Sequence, residues 1–599
     1  MSSTRSSEIT LPSLLGGAWK LSRDLPRMAG QLPSLINLSP SRKWTIGKAF
    51  AKAAAAHPDR PFLRMGSSIH TYGECNRRAN RWAAVLADNG VGRGDVVAVM
   101  ARNSVEVVIA VLATVKLGAI AGMVNYNQTG EVLDHSLGLL APPGETRRGA
   151  RVLITDGTCD GNLATASAQA VPPTRLTFAD LDATGNDLAV ADPAVNANPA
   201  VTAALPADIP AFYIFTSGTT GYPKASIMSH SRWHFVMAGM GAAIRLRSDD
   251  VMYCALPLYH NNALTVSFGA VLGAGACLAI GEKFSASRFF DDIIANDATA
   301  FCYIGELCRY LLAVEPKPTD RAHRVRLAAG NGLRPDIWDE FQQRFGIERI
   351  MEFYGASESN IGFVNLFGQR KTVGFSPLPH AIVEVDVTTG EPLRDARGRC
   401  RRVKKGEPGL LLGRILPVAR LDGYTDPAAT EKKIVRDVFR RGDAYFNTGD
   451  LVYSQGYGHI GFADRLGDTF RWKGENVATT EVENVLNGVD GIAESVVYGV
   501  AVPGADGRAG MAAVVVGDDL DWEGLARAVR AKLPSYAVPL FVRVVPELEH
   551  TSTFKARRVE LREEGYSRIG DDEVRVLDGD AGYVPFYPEF VSNLTAGRR

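Results

Sequence analysis

Apolar positions change period repeatedly from Trp44 onward. Residues 51–57 repeat at helical spacing, 62–65 form a short strand-like run, and 72–90 place Ala, Arg and Leu at the spacing of a long helix. Residues 96–100 are the valine-rich run of a buried strand. The longest apolar run, 107–124, contains Lys116 and is at the short end of a membrane-spanning length. It reads as a buried helix, a turn at Gly118 and a strand. Residues 263–280 are a second apolar stretch punctuated by glycine. This alternation predicts an α/β architecture with largely parallel sheets. Residues 141–210, rich in Ala, Pro, Asp and Thr, have weak periodicity and predict in part a loop-rich excursion. Near the start, Leu11, Leu14, Leu15, Ala18 and Trp19 follow an i, i+3, i+4, i+7, i+8 pattern, with Lys20, Arg23 and Arg27 close by. Such a helix is able to lie on a membrane surface or to pack on the protein itself.

Composition narrows this only modestly. At 599 residues the chain exceeds one hydrophobic core, so two or more domains are expected. It is 46% apolar and 22% charged, an ordinary soluble composition. The formal net charge of zero argues against a generic nucleic-acid binder. Its seven cysteines are scattered without metal-ligand spacing, which fits reduced thiols in the cytoplasm. A dense basic segment, 394–405, reads either as a solvated loop or as a contact for an anionic surface or ligand phosphates.

The chemistry concentrates in short motifs. Residues 213–224 read Tyr-Ile-Phe-Thr-Ser-Gly-Thr-Thr-Gly-Tyr-Pro-Lys. Apolar residues lead into Thr216, Ser217, Gly218, Thr219, Thr220 and Gly221, and the stretch ends at Lys224. Glycines let backbone N–H groups approach oxyanions, hydroxyls add donors, and the lysine adds charge. The spacing is not that of a Walker A loop. Further along are Leu256-Pro-Leu-Tyr-His260, the turn Gly330-Asn331-Gly332, and Tyr354-Gly355-Ala356-Ser357-Glu358 after a strand predicted at 349–353. Then come Asn447-Thr-Gly-Asp450, Asp464-Arg465-Leu-Gly-Asp468, Arg471-Trp-Lys473-Gly474-Glu-Asn-Val477 and Thr553-Phe-Lys555. An aromatic can stack on a base, and a glutamate can hold a divalent cation.

In this order the motifs resemble the adenylate-forming superfamily, from Trp44 to about Glu589. Their wording is similar to the fatty acid transport protein and very-long-chain acyl-CoA synthetase branch. The resemblance implies a large domain of α/β sheets with helices and a β-barrel-like subdomain, 44–464, and a small mobile α+β lid domain, 465–599. An amphipathic extension, 1–43, precedes them. It implies a long- or very-long-chain fatty acid–CoA ligase that works in two steps through acyl-AMP, with ATP, Mg²⁺ and coenzyme A as ligands beside the fatty acid, and AMP and pyrophosphate as products. Tyr354 would contact adenine beside Gly330, Asn331 and Gly332. Glu358 and Thr216 would bind magnesium, and His260 would sit by the acyl carboxylate. Asp450 would hold the ribose hydroxyls, and Arg465 would be a second contact to ribose or phosphate. Lys473 and Gly474 would line the pantetheine passage, and Lys555 would be the catalytic lysine. Gly467 falls where many relatives carry Asp or Lys at a hinge. Trp233, Phe235, Val236, Met237 and Met240 are either acyl-tunnel wall or core. The alternatives are a ligase that stops at acyl-AMP, a steroid side-chain CoA ligase, and an uptake protein with a secondary nucleotide site. Chain length, membrane contact at the inner face and oligomeric state, a dimer included, stay open.

Overall fold

The computed structural model describes residues 8–23, 44–142, 149–216, 222–417, 419–473, 475–503, 507–517, 520–551 and 556–595. The chain falls into two compact units. One is Ser7–Leu378 with Arg414–Ile434, and the other comprises Pro379–Gly413 and Val435–Arg599.

The first unit holds two sheets. In one, the strand order is Thr174–Thr177, Val152–Thr155, Val96–Met100, Ile120–Met123, Pro210–Thr216 and Lys224–Ser229. Its neighbours are parallel except the last pair. The other runs from Ser68–Thr71 through Pro61–Met65, Cys277–Ile280, Val251–Cys254, Ala300–Ile304, Leu327–Asn331 and Arg349–Gly355 to Gly362–Val364 and Gly374–Phe375. Its middle is parallel, and its ends are antiparallel. This is the expected α/β class.

The run at 107–124 resolves as predicted. Helix Val105–Lys116 is buried at every residue but Glu106. Gly118 turns the chain at φ +73°, and strand Ile120–Met123 follows. A helix that is apolar all round belongs inside a protein. Its one lysine is fully buried. Its ammonium donates to the Oδ1 atoms of Asn76 (2.6 Å), Asn80 and Asn198 (2.8 Å). Burial still depresses Lys116 to about 7. No helix among the described residues is long and apolar enough to cross a membrane.

Residues 149–210 are more ordered than their sequence suggests. They contribute two strands to the six-stranded sheet and helix Phe178–Ala191, which Thr177 and Asp180 close as a capping box. The strands have only four residues each, and the Ala-, Asp- and Gly-rich helix buries just Leu181 and Gly185. Short elements with narrow apolar faces leave a faint periodic signal, and tertiary pairing decides their state.

In the second unit, the strand order is His380–Val383, Gly409–Arg414, Ala444–Gly456 and His459–Arg465. A five-stranded sheet follows: Ile492–Ala501, Arg508–Val516, Phe541–Val544, Glu573–Leu577 and Tyr583–Pro585. It is antiparallel apart from the second pair. Helices Thr479–Leu486 and Trp522–Lys532 bury Val482, Leu486, Leu525 and Val529 in its core.

Candidate active site

In the first unit the chemistry gathers at strand ends. Thr216 ends Pro210–Thr216, Lys224 begins Lys224–Ser229, and the two face each other in the antiparallel register. The Thr216 hydroxyl donates to the Lys224 carbonyl at 3.5 Å. Ser217 to Gly221, between them, lie outside the described residues.

Alongside runs a segment the sequence reading passed over, Asp422-Gly-Tyr424. Ile227 N–H donates to the Gly423 carbonyl, and Thr425 N–H to that of Ala225, both at 2.9 Å. These bonds fix buried Tyr424 between the strand and the 354–358 motif. Its ring is 5.7 Å from Lys224 Nζ, and its hydroxyl interacts with the Glu358 carboxylate and with Thr216. Burial and the Glu358 charge raise the phenol's pKa well above its usual value, so Tyr424 remains a neutral hydrogen-bonding group. Thr216 and Glu358, 142 positions apart in sequence, thus share one neighbour. One carboxylate and one hydroxyl are hard oxygen donors of the kind that suits Mg²⁺, which keeps several waters and substrate phosphates as further ligands.

The 354–358 motif is anchored from beneath. Strand Arg349–Gly355 carries Tyr354 half-exposed at its end, with its ring 6.0 Å from Phe363 on the paired strand. The Ser226 hydroxyl donates to the Ser357 carbonyl at 2.8 Å. Arg232 donates to the carbonyls of Ala356 (3.1 Å), Ser359 and Ile227 (3.3 Å). The charges of Asp422 and Glu358 also act on that guanidinium. An arginine beside Trp233, Phe235 and Val236 was the sequence's own sign that this helix serves a polar site.

At the end of the adjacent parallel strand, Leu327–Asn331, is the turn Gly330-Asn331-Gly332. A Cβ on Gly330 would lie 2.3 Å from the Tyr303 carbonyl, and Gly332 sits at φ +87°. Only glycine fits both positions. Glu352 secures the turn from below. Buried, it accepts from Gly332 N–H and Leu333 N–H at 3.0 Å each and from the Tyr303 hydroxyl at 2.5 Å. Burial raises its carboxyl to about 8 against these three donors. Asn331 Oδ1 accepts from Asn262 at 3.0 Å, which links the turn to the single π-helical stretch among the described residues, Asn262–Ser267. π-Helical turns concentrate at functional sites.

His260 precedes that stretch, half-buried, with its ring 4.4 Å from that of Tyr259. Asn103 pins the preceding residues by donating to the Leu256 carbonyl at 2.9 Å and accepting Leu258 N–H at 2.8 Å. Of the proposed acyl-wall residues on helix His230–Ile244, Trp233, Met237 and Met240 are buried, while Phe235 and Val236 are half-buried. Gly269 packs close to Met237, where a Cβ would meet the Met237 Cα at 3.4 Å.

The second unit carries the remaining motif residues. Asp450 and Arg465 are directly opposed on the hairpin, with Arg465 Nε 3.9 Å from Asp450 Oδ1. Asp450 N–H donates to the Thr448 hydroxyl, which donates to the Leu411 carbonyl. The adjacent Asp464 is buried and accepts from Thr469, Thr479 and Thr480 hydroxyls and from the Arg465 and Thr479 N–H groups. Burial raises its pKa, with the Arg558 cation opposing. Lys473 is exposed at φ +50° in the turn after Phe470–Trp472. Gly474 and Lys555 lie outside the described residues. On either side of residues 552–555, His550 and Ala556 form a β-bridge, and His550 contacts Glu494 at 2.8 Å.

Comparison with known proteins names the class of α/β protein to which these strands and turns belong. The AMP-binding enzyme family matches residues 50–412, and the AMP-binding enzyme C-terminal domain matches 481–555. The chain belongs to the AMP-binding enzyme family, in the branch of the fatty acid–CoA ligases and long-chain fatty acid transport proteins. It is 53% identical over 592 residues to the medium/long-chain-fatty-acid–CoA ligase FadD6 of Mycobacterium tuberculosis, covering 97% of each chain. It is 40% identical over 581 residues to human long-chain fatty acid transport protein 1, covering 92% of this chain and 88% of that protein. The ATP-bound crystal structure of MatB from Rhodopseudomonas palustris shares the fold, with a TM-score of 0.72 at 24% identity over 86% of this chain and 98% of that one.

Proposed function

We propose that this chain is an AMP-forming fatty acid–CoA ligase for medium- to long-chain acids. The observation that supports this reading most is the convergence of Thr216, Lys224, Tyr424 and Glu358 at one edge of the first unit, beside the turn that Glu352 secures.

Joining a carboxylate to the α-phosphate of ATP requires two anions to meet while pyrophosphate leaves. Backbone and hydroxyl donors of 216–221, with Lys224, hold the phosphates. Thr216 and Glu358 would hold Mg²⁺, which supplies charge neutralisation on the phosphates when bound. Tyr354 lies against adenine along the Gly330-Asn331-Gly332 turn, and Asp450 accepts from the ribose hydroxyls with Arg465 beside it. His260 orients the fatty carboxylate, and Lys555 stabilises the developing charge of the adenylation step. The carboxylate oxygen attacks the α-phosphorus, and the bond to pyrophosphate breaks. The thiol of coenzyme A, entering past Lys473 and Gly474, then attacks the acyl carbonyl and AMP leaves.

Residues 465–599 act as the mobile domain of the thioester step, with Gly467 as the pivot. Each buried CH₂ of the acyl chain adds about 0.8 kcal/mol to binding, so longer acids within the tunnel bind more tightly. The enzyme works in the cytoplasm and meets the inner face of the cell membrane peripherally, where its fatty acid partitions.

The test is isotope exchange. With ATP, labelled pyrophosphate and a fatty acid, but no coenzyme A, label should enter ATP only when the acid is present. Lys555→Ala should abolish the exchange and leave the thermal midpoint unchanged. Exchange at the wild-type rate in Lys555→Ala would remove that lysine from the reaction, and exchange without fatty acid would contradict the acyl-adenylate route.

A further inference from the structure

Helix Leu11–Ser22 has two different faces. Thr10 and Ser13 close its start as a capping box, and Pro12 sits in the first turn. One side is fastened to the first unit. Gly17 is buried so tightly that a Cβ would stand 2.4 Å from the Phe367 carbonyl oxygen, and Gln369 Nε2 donates to the Ser13 carbonyl at 2.9 Å. Leu14, Ala18 and Leu21 flank this contact, half-buried.

The other side faces solvent. Leu11, Leu15 and Trp19 recur every fourth residue and are 51%, 61% and 65% exposed. Large apolar side chains this open, in register on one helix face, need an apolar neighbour. The helix itself carries no acidic residue, and Lys20 and Arg23 lie at its C-terminal end. Arg23 lies over the Trp19 ring, its guanidinium carbon 5.4 Å from the centroid.

We propose that this face is the chain's docking surface for an anionic bilayer. It rests on the peripheral contact proposed above and assigns that contact to named residues. Leu11, Leu15 and Trp19 enter the boundary between headgroups and acyl chains, and Lys20 and Arg23 meet headgroup phosphates. Two features favour a lipid surface over a protein groove. The apolar strip is one side chain wide and ends in two cations, Lys20 and Arg23, which a bilayer accommodates without shape complementarity. An indole stacked by a guanidinium also suits the headgroup level, where amphipathic rings settle. Because Gly17 and Gln369 lock the helix to the unit, docking would fix the orientation of the folded enzyme on the membrane rather than tether it loosely.

The experiment is vesicle flotation of the full-length chain with phosphatidylcholine–phosphatidylglycerol vesicles and with phosphatidylcholine alone. Ligase activity on octanoate, which needs no membrane, serves as the control for folding. Wild type should float with the mixed vesicles and far less with phosphatidylcholine. The combined Leu11→Ser, Leu15→Ser and Trp19→Ser variant should lose about two orders of magnitude in partition while keeping its octanoate activity. Lys20→Gln with Arg23→Gln should lose several-fold, most at low salt. A triple-serine variant that floats like wild type would overturn this helix as the docking face while leaving membrane contact standing. Wild type that floats with neither vesicle would overturn the peripheral reading as well. If the serine variant loses octanoate activity, Leu15→Ser alone, confirmed as active, decides between the same outcomes.

Discussion

Each unit places two carboxylates near its nucleotide motifs, and the two pairs are held in different ways. In the first unit Glu352 is buried and satisfied by neutral donors, two backbone N–H groups and the Tyr303 hydroxyl, while Glu358, six residues on, stands half-buried beside Tyr424 and Arg232. In the second, Asp464 is buried among threonine hydroxyls, and Asp450 faces Arg465 across the hairpin. Around Gly467, however, the second unit relies on ions. Arg558 pairs with Asp468 and with Glu483 at 2.7 Å, and Arg562 donates to the Gly467 carbonyl at 3.3 Å. Neutral donors around a buried acid make a turn that does not answer to salt. Ion pairs around a glycine make a segment whose partners can be exchanged. The contrast suits the roles proposed above, a fixed turn beside the base in one unit and a pivoting segment in the other.

The largest effect should come from the open carboxylate. Glu358→Gln should lower the rate of acyl-AMP formation by about 10²–10³-fold, the cost of losing one preorganised charge, with the thermal midpoint unchanged. A large fall in the midpoint instead would make Glu358 structural, like Glu352.

Arg558→Met should come next. It takes the cation from Glu483 and leaves Asp468 only the longer contact to Arg562 at 3.7 Å, and loss of one partner from a largely buried ion pair costs about 3 kcal/mol. Urea denaturation should show that loss, and Arg558→Lys, which keeps the charge, should recover part of it. Equal instability of the Met and Lys variants would mean that the packing and fork geometry of the guanidinium, not its charge, hold the segment.

Glu352→Gln should cost about 1–3 kcal/mol by leaving a buried donor unmatched and should raise the KM for ATP more than it lowers kcat. It should also change the response to pH. Folding raises this carboxyl from 4.5 to about 8, so the folded chain holds the proton more tightly than the unfolded one. Its contribution is therefore complete below about pH 4.5 and is lost as pH rises through 8. The stability of wild type relative to Glu352→Gln should decline across that window. An unchanged difference between pH 5 and 8.5 would show that the three donors keep Glu352 ionised throughout.

The smallest effect is expected at Gly467, where a Cβ meets nothing within 4 Å. Gly467→Ala should leave stability and adenylation alone and slow thioester formation a few-fold by narrowing backbone freedom. Equal slowing of both half-reactions would place the pivot elsewhere.

Much of the fold was legible where one element had one environment. The buried helix, the Gly118 turn and the following strand stood out because residues 105–124 are apolar on all sides. Val96–Met100 was equally clear. The strands at 152–155 and 174–177 were not, because four residues with partly exposed faces carry little periodic signal. The motifs marked Thr216, Glu358, Asp450 and Arg465 from residue type and order. They could not mark Tyr424, whose importance comes from pairing of 423–425 with 225–227, two segments nearly 200 positions apart. Glu352 was hidden by its place inside a strand, where a charged residue reads as a surface position until its partners are seen. Helix Leu11–Ser22 was readable as amphipathic, but only its packing showed that Leu14 and Ala18 turn inward and Leu15 and Trp19 outward.

The most direct test of ligase activity is a product assay with ATP, magnesium, coenzyme A and a panel of fatty acids from medium to very long chain, read by mass spectrometry. Acyl-CoA and AMP should appear together, best with medium to long chains, and acyl-AMP alone should remain when coenzyme A is withheld. Acyl-AMP that persists without conversion in the presence of coenzyme A, or no product from any fatty acid, would contradict this assignment.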